Sequence, residues 1–222
     1  GILDYPSPGG FYIARLDLAT QTWTRTSALV DTRTAAKIDA LWDAASGKLY
    51  TVSARTSTGA IELRRFSYVV TIAEDTTGTL WVTYVPVSGD PRVYVTHSVG
   101  GNDASWVAPF VLPTSGMPLN EDDLAVIVVF GGQIGIMWGN QNDSTMYFAR
   151  HVDGTPDNQW ILEIAYQRAE GADDHINLKA DSSGRVYAAV KTSLNGPNDP
   201  LIHLLVRTTG GTWSSHVFGT VA

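Results

Sequence analysis

Cysteine is missing from all 222 residues, so the chain has no disulfide, thiolate metal site or cysteine nucleophile. That absence leaves the compartment open, because secreted proteins without cysteine are common. No run of about 18 apolar residues occurs, so no segment is read as a membrane-spanning helix. No secretory leader is visible, and a chain beginning at Gly1 suggests processing, a tag remnant or a fragment. Lysine and arginine never cluster, and the formal net charge is -7, which argues against nucleic acid as a partner. The phosphate-loop, G-x-S-x-G and H-E-x-x-H patterns and a dinucleotide fingerprint in a βαβ setting are also lacking. His97, His151, His175, His203 and His216 are scattered and give no zinc-type spacing.

Turns and aromatic residues are plentiful. Glycine (21) and proline (10) are spread along the chain, and seven Trp and nine Tyr suit strand faces. Residues 172–213 show the organising unit most clearly. Apolar runs at 176–180, 186–191, 201–206 and 213–218 are separated by Asp181-Ser182-Ser183-Gly184, by 195–200 and by Thr209-Gly210-Gly211. Short β-rich runs bounded by Gly, Pro, Asn and Asp predict antiparallel strands joined by hairpins. Four of them, here lettered a to d from an axis outward, make one propeller-type blade.

The unit recurs. An a–b turn glycine precedes an apolar run at Gly47, Gly78, Gly132 and Gly184, and strand d carries Trp23, Trp106, Trp160 or Trp213. Trp106 to Trp160 is 54 residues and Trp160 to Trp213 is 53; Gly78 to Gly132 is 54 and Gly132 to Gly184 is 52. Such regular spacing marks stacked equivalent units that bury their faces against one another. The expectation is an all-β propeller of four-stranded antiparallel blades, about 53 residues per repeat. The whole chain, 1–222, reads as one domain: a half blade at 10–29, an abbreviated blade at 37–68, and blades at 70–112, 124–166 and 175–218. Residues 34–42 could be helical by propensity, but their repeat position argues for a strand.

The repeat is uneven. Gly47 to Gly78 is only 31 residues, so an outer strand is missing around residues 67–69, either in the molecule or through an omitted segment. The half blade has no source for its strands a and b. The expectation is therefore a fragment of a longer propeller, or a chain completed by a partner or oligomer through open strand edges.

The c–d turns carry a family resemblance. They are His97-Ser98-Val99-Gly100-Gly101-Asn102-Asp103-Ala104-Ser105-Trp106, then 150–160, then 207–213, with 15–23 in the half blade. These turns resemble degenerate Asp boxes, the S-x-D-x-G-x-T-W hairpins of sialidase-like (BNR-repeat) β-propellers. Ser98 and Trp106, Asp153-Gly154, and Thr212-Trp213 match in different copies. The resemblance implies a propeller whose boxes are structural and face away from the active site. It also implies a possible glycoside hydrolase. The family's arginine triad cannot be placed, because Arg15, Arg150 and Arg207 all end strand c beside these turns.

Candidate chemistry lies on the other face, where d–a and b–c connections meet. Asn120-Glu121-Asp122-Asp123-Leu124 and Ala172-Asp173-Asp174-His175-Ile176 each lead into a strand a. Asp122, Asp123, Asp173 and Asp174 are candidates for Ca²⁺ ligation or for the acid and base of glycoside hydrolysis. They equally suit turn capping. The b–c loops add Trp138 as a stacking platform, with Asn140, Asn142, Asp143, Asn195, Asn198 and Asp199, beside His175, as groups suited to sugar hydroxyls. Three functions stay open: an extracellular, non-catalytic propeller binding a glycan or protein, a sialidase-like hydrolase, or a structural assembly module.

Overall fold

The computed structural model describes residues 2–4, 11–17, 22–31, 37–43, 48–54, 70–86, 89–116, 118–120 and 122–221. Among them every regular element is a strand and none is a helix. The first sheet is β1 (Ile2–Asp4), β2 (Phe11–Asp17) and β3 (Thr22–Asp31), antiparallel in that order. The short β1 is an addition to the two strands expected there. A hairpin of β4 (Lys37–Asp43) and β5 (Lys48–Ala54) follows, so the described part of the helix-prone run, 37–42, is strand. Expected strand c at 61–66 and the gap at 67–69 lie outside the described residues.

Three four-position antiparallel sheets then follow, and we call them the first, second and third blades. The first has β6 (Val70–Glu74), β7 (Leu80–Tyr84) and β8 (Tyr94–Val99). Its outer position is shared by β9 (Asn102–Trp106) and β10 (Phe110–Val111), both paired with β8. Pro109 lies between them and has no amide hydrogen to give the ladder, which fits the break there. The second blade is β11 (Ala125–Phe130), β12 (Gln133–Asn140), β13 (Thr145–Val152) and β14 (Ile161–Gln167). The third is β15 (Ile176–Ala180), β16 (Val186–Lys191), β17 (Pro200–Arg207) and β18 (Trp213–Thr220).

Inner strands of successive sheets lie side by side: β4 with β6, β6 with β11, and β11 with β15. The blades therefore fan out in chain order, and among the described residues they do not close into a ring. Alternation of side chains along β12 feeds two seams. Ile134, Ile136 and Trp138 pack toward the first blade, and Met137 toward the third. Both faces of β12 are buried, which is why its sequence is apolar almost throughout.

The three repeat tryptophans hold one ladder position. Trp106 opposes Ser98, Trp213 opposes Arg207, and Trp160 directly precedes Ile161, which opposes Arg150. Trp160 meets Trp81 of the first blade edge-on at 6.0 Å, and Trp213 meets Phe148 of the second at 5.2 Å. Trp160 and Trp213 thus pack back onto the preceding blade, whereas Trp106 is 38% exposed.

Candidate functional site

The second and third blades bring the two acidic connections and the two polar loops to one end. β11 and β15 begin there, while β12 and β16 end there. Gly139, near the end of β12, touches the connection into β15: a Cβ on it would stand 2.6 Å from the Asp173 carbonyl oxygen. This close approach needs glycine.

The four carboxylates do not act as one cluster. Asp123 is fully buried; its Oδ2 accepts from Asn120 N (2.7 Å) and its Oδ1 from Gln141 Nε2 (3.1 Å). Burial is the main cause pushing its pKa up to about 6, with the Asp122 charge a smaller contribution. Asp122 is exposed and accepts from the same Gln141 amide at 3.3 Å. Asp173 is buried. Its Oδ1 accepts from Asp174 N (2.7 Å) and its Oδ2 from Lys191 Nζ (2.7 Å). Burial pushes its pKa up, but hydrogen bonds from Asp174 and Lys191 outweigh it and hold the carboxyl well below the usual range. Asp174 is pushed up, first by its side-chain contact with Asp173 and then by burial. His175 is exposed, with Nδ1 2.5 Å from Asp174 Oδ1 and 3.2 Å from Asp173 Oδ1.

Asp173, Asp174 and His175 offer ligand atoms within 4.8 Å of one another. The Lys191 ammonium already gives Asp173 its positive partner. Asp122 and Asp123 belong to the separate Gln141 network. Ca²⁺ takes six to eight oxygens, and this group offers few once Asp173 is engaged by Lys191.

An open cleft of about 560 Å³ lies where these groups meet. Leu124, Ile176, Val190 and Ile202 give it an apolar floor; Asp122, Asp174, His175, Asn177 and Lys191 supply polar groups around it. Asp122, Asp174 and His175 were candidates from the sequence, whereas Asn177 and Lys191 are strand residues that the loop-centred reading did not single out. Alternation along β15 and β16 could have pointed to Asn177 and Lys191.

Several expected ligand groups serve the loops themselves. Trp138 is a correction: it lies inside β12, only 1% exposed, with its ring stacked on Tyr147 at 5.4 Å. A buried indole cannot be a sugar platform. Asn140 is buried; its Oδ1 accepts from Asn142 N (3.0 Å) and its amide donates to Asp143 Oδ2 (3.3 Å). Asn142 donates to the Pro118 carbonyl, and Asp143 accepts from Tyr147 OH at 2.8 Å. Asp199 Oδ2 accepts from Gly196 N, while Asn195 and Asn198 are exposed in the same loop. None of these lines the cleft.

The opposite end carries a motif that sequence reading passed over. Asp75-Thr76-Thr77-Gly78-Thr79-Leu80-Trp81 and Asp181-Ser182-Ser183-Gly184-Arg185-Val186-Tyr187 close the a–b turns. Asp75 accepts from Thr77 N (2.8 Å), Thr77 Oγ1 (2.7 Å), Thr79 N (3.0 Å) and Trp81 Nε1 (2.9 Å). Asp181 accepts from Ser183 N, Ser183 Oγ, Arg185 N and Tyr187 OH in the same way. Burial pushes the Asp75 carboxyl up, but the donors from Thr77, Trp81 and Thr79 outweigh it and hold it low. The glycines at 78 and 184 have φ of 83° and 85°, which the turn requires. The a–b turns, rather than the c–d turns, thus hold the repeated Asp-centred hydrogen bonding. Asp153 of a c–d turn instead reaches the neighbouring blade, accepting from Thr76 N (3.0 Å) and Thr76 Oγ1 (2.5 Å).

No protein-family model and no curated protein matches this chain.

Proposed function

We propose that the chain belongs to a β-propeller of the sialidase-like kind that acts outside the cell as a non-catalytic binding module, taking a glycan in the cleft beside Asp174 and Lys191. The observation that carries this reading is the cleft itself. It is an apolar floor edged by carboxylates, an amide, an imidazole and an ammonium, all at the end where blade connections converge. Apolar floors with a few convergent polar groups are the usual form of a small-ligand site. The fan of equivalent sheets supports the propeller part of the reading.

Hydrolysis is the weaker reading because two of its four candidate acids are spent. Asp123 and Asp173 are buried in loop-fixing hydrogen bonds, and only Asp122 and Asp174 line the cleft. Screening the protein on a glycan array, with fluorogenic glycosides assayed in parallel, tests the proposal. Binding that weakens about tenfold or more in Asp174→Asn and Asn177→Ala, with no turnover, is expected. Turnover abolished by Asp174→Asn would move the assignment to a hydrolase.

Assembly with a second copy is favoured by one observation. β18 is an outer edge strand exposing Val217 (57%) and Phe218 (83%). Phe218→Lys is expected to lower self-association in sedimentation velocity while leaving the melting temperature unchanged. Identical sedimentation of the two proteins across concentration would remove this reading.

A further inference from the structure

At the end of the molecule away from the cleft, the seam between the second and third blades holds an ion cluster with unequal charge. Glu163 on β14 accepts from Arg207 Nε (2.7 Å) and Nη2 (2.6 Å), a two-pronged pair, and from Arg150 Nε (3.1 Å) and Trp213 Nε1 (2.9 Å). The Arg207 side chain is 5% exposed and lies over the rings of Phe130 and Phe148 at 5.3 and 5.7 Å. Two guanidiniums therefore share one carboxylate, so among the described residues the cluster carries one net positive charge, with Arg207 desolvated and Arg150 partly exposed.

That surplus faces a cavity of about 410 Å³. Arg150, Gln133, Arg207 and Glu163 form one side. Backbone-rich turns, 183–184 and 209–211, form the other. Asp181, on the same turn as Ser183, is already engaged by Ser183, Arg185 and Tyr187, and does not line the cavity. Arg150 uses Nε on Glu163 and Nη1 on Gln133 Oε1 (3.0 Å). Its Nη2 edge makes no hydrogen bond among the described residues, and the side chain is 25% exposed. A guanidinium edge beside a polar cavity is matched to a planar carboxylate.

We propose that this cavity is a second ligand site, which binds a small free carboxylate through the outer edge of Arg150. The site differs from the cleft in end, charge and ligand class, and stands whether or not the cleft binds a glycan. The Glu163–Arg207 pair fixes the floor, Arg150 presents the free donors, and Gln133 orients Arg150 as a positioning residue. Gly184, Gly210 and Gly211 keep the turn side of the cavity short of side chains, with Ser183 and Thr209 beside them.

The test is a titration of ¹⁵N-labelled full chain with sodium acetate, sodium succinate, sodium phosphate and sodium chloride at matched ionic strength. Acetate and succinate are expected to shift the amides of Gly184, Gly210 and Gly211 saturably, with chloride and phosphate giving only small linear drifts. Arg150→Gln is expected to weaken that binding about tenfold or more, consistent with loss of a charge-assisted hydrogen bond. Gln133→Leu, which leaves Glu163 and Arg207 intact, is expected to weaken it severalfold and covers the case in which Arg150→Gln does not fold. Any of four results overturns the proposal: no saturable shift with carboxylates, equal shifts with chloride, saturation by phosphate alone, or unchanged affinity in a folded variant at either position.

Discussion

Gly135 shows how a single missing side chain can be a packing decision. Its φ is not left-handed, yet a Cβ there would lie 2.3 Å from Phe148 Cζ and 2.8 Å from Phe130 Cε1. The corresponding positions of the other two blades, three residues after the turn glycine, are Trp81 and Tyr187. In the second blade the Phe148 ring fills that space from the side. Gly135→Ala is expected to cost about 1–3 kcal/mol by overpacking, read from urea denaturation. Asp75 is the converse case, a side chain with four donors on it and 6% exposure. Asp75→Ala is expected to cost about 2–4 kcal/mol in the same assay, because part-buried amides and a buried indole N–H lose their acceptor. The Asp–x–x–Gly–x–apolar–aromatic pattern of that turn occurs twice in the sequence, where the glycine already marks a turn but the acceptor role of the Asp depends on the folded backbone. Trp138 was not legible in the same way: its place inside β12 depends on where the strand ends, and the polar residues after it looked like an extension of the loop. Asp123 carries a pH signature. Its folded pKa is raised to about 6, against about 3.9 unfolded. The folded state therefore holds the extra proton between those values, and stability from this group falls as pH rises through that window. Asp123→Asn is expected to remove that fall, so the variant's melting temperature gains on wild type between pH 4 and pH 7. A constant difference across that range would contradict the assignment.

Strands were the most readable elements. Runs expected at 176–180 and 186–191 coincide with β15 and β16, and β17 and β18 extend the expected 201–206 and 213–218 by only a residue or two. Punctuation by Asp, Ser, Gly and Pro explains that agreement, since each closes a turn through a local backbone preference. The interrupted outer strand of the first blade was less readable, because β9 and β10 share one partner on either side of Pro109. The seams between blades were the least readable, since they join residues such as Glu163 and Arg207 that are distant in sequence. Arg150 and Arg207 look alike as the ends of strands c, but they differ by one ladder step. Arg150 pairs with Gly135, whereas His151 pairs with Ile134 and turns toward Trp81 and Trp160. Glu163→Gln is expected to cost about 3 kcal/mol, because Arg207 would stay buried with its charge unmatched. Glu163 has a lowered pKa: burial raises it, and Arg207, Trp213 and Arg150 outweigh burial. Its stabilising contribution is therefore present above the unfolded value of about 4.3 and is lost as pH falls through the folded value. Wild type is expected to lose this increment in acid denaturation, and Glu163→Gln is expected to show a smaller acid-induced drop.

At the scale of the molecule, the described residues form a succession of sheets that share a plan and vary its details. Repeat arithmetic on Trp and Gly showed the succession, because the turn glycine and the tryptophan opposite the end of the third strand recur at one ladder position, and in the second and third blades that tryptophan meets the preceding blade. It could not show the cleft, whose walls come from Asp122 on one blade's approach and from strands of the next. Nor could it show how unlike the two ends of the seam are: acids and an ammonium at the cleft, a surplus guanidinium at the other. Both sites inherit their geometry from one claim, that successive blades are related by a single repeated rotation. Freedom from cysteine makes that claim testable by double electron–electron resonance without background labelling. Ser105, Gln159 and Thr212 are exposed and directly precede the three repeat tryptophans, so Ser105→Cys, Gln159→Cys and Thr212→Cys place spin labels at matching points. The account predicts that the 105–159 and 159–212 distances agree within the spread of the label and that the 105–212 distance is longer than either. Clearly unequal neighbour distances would contradict it.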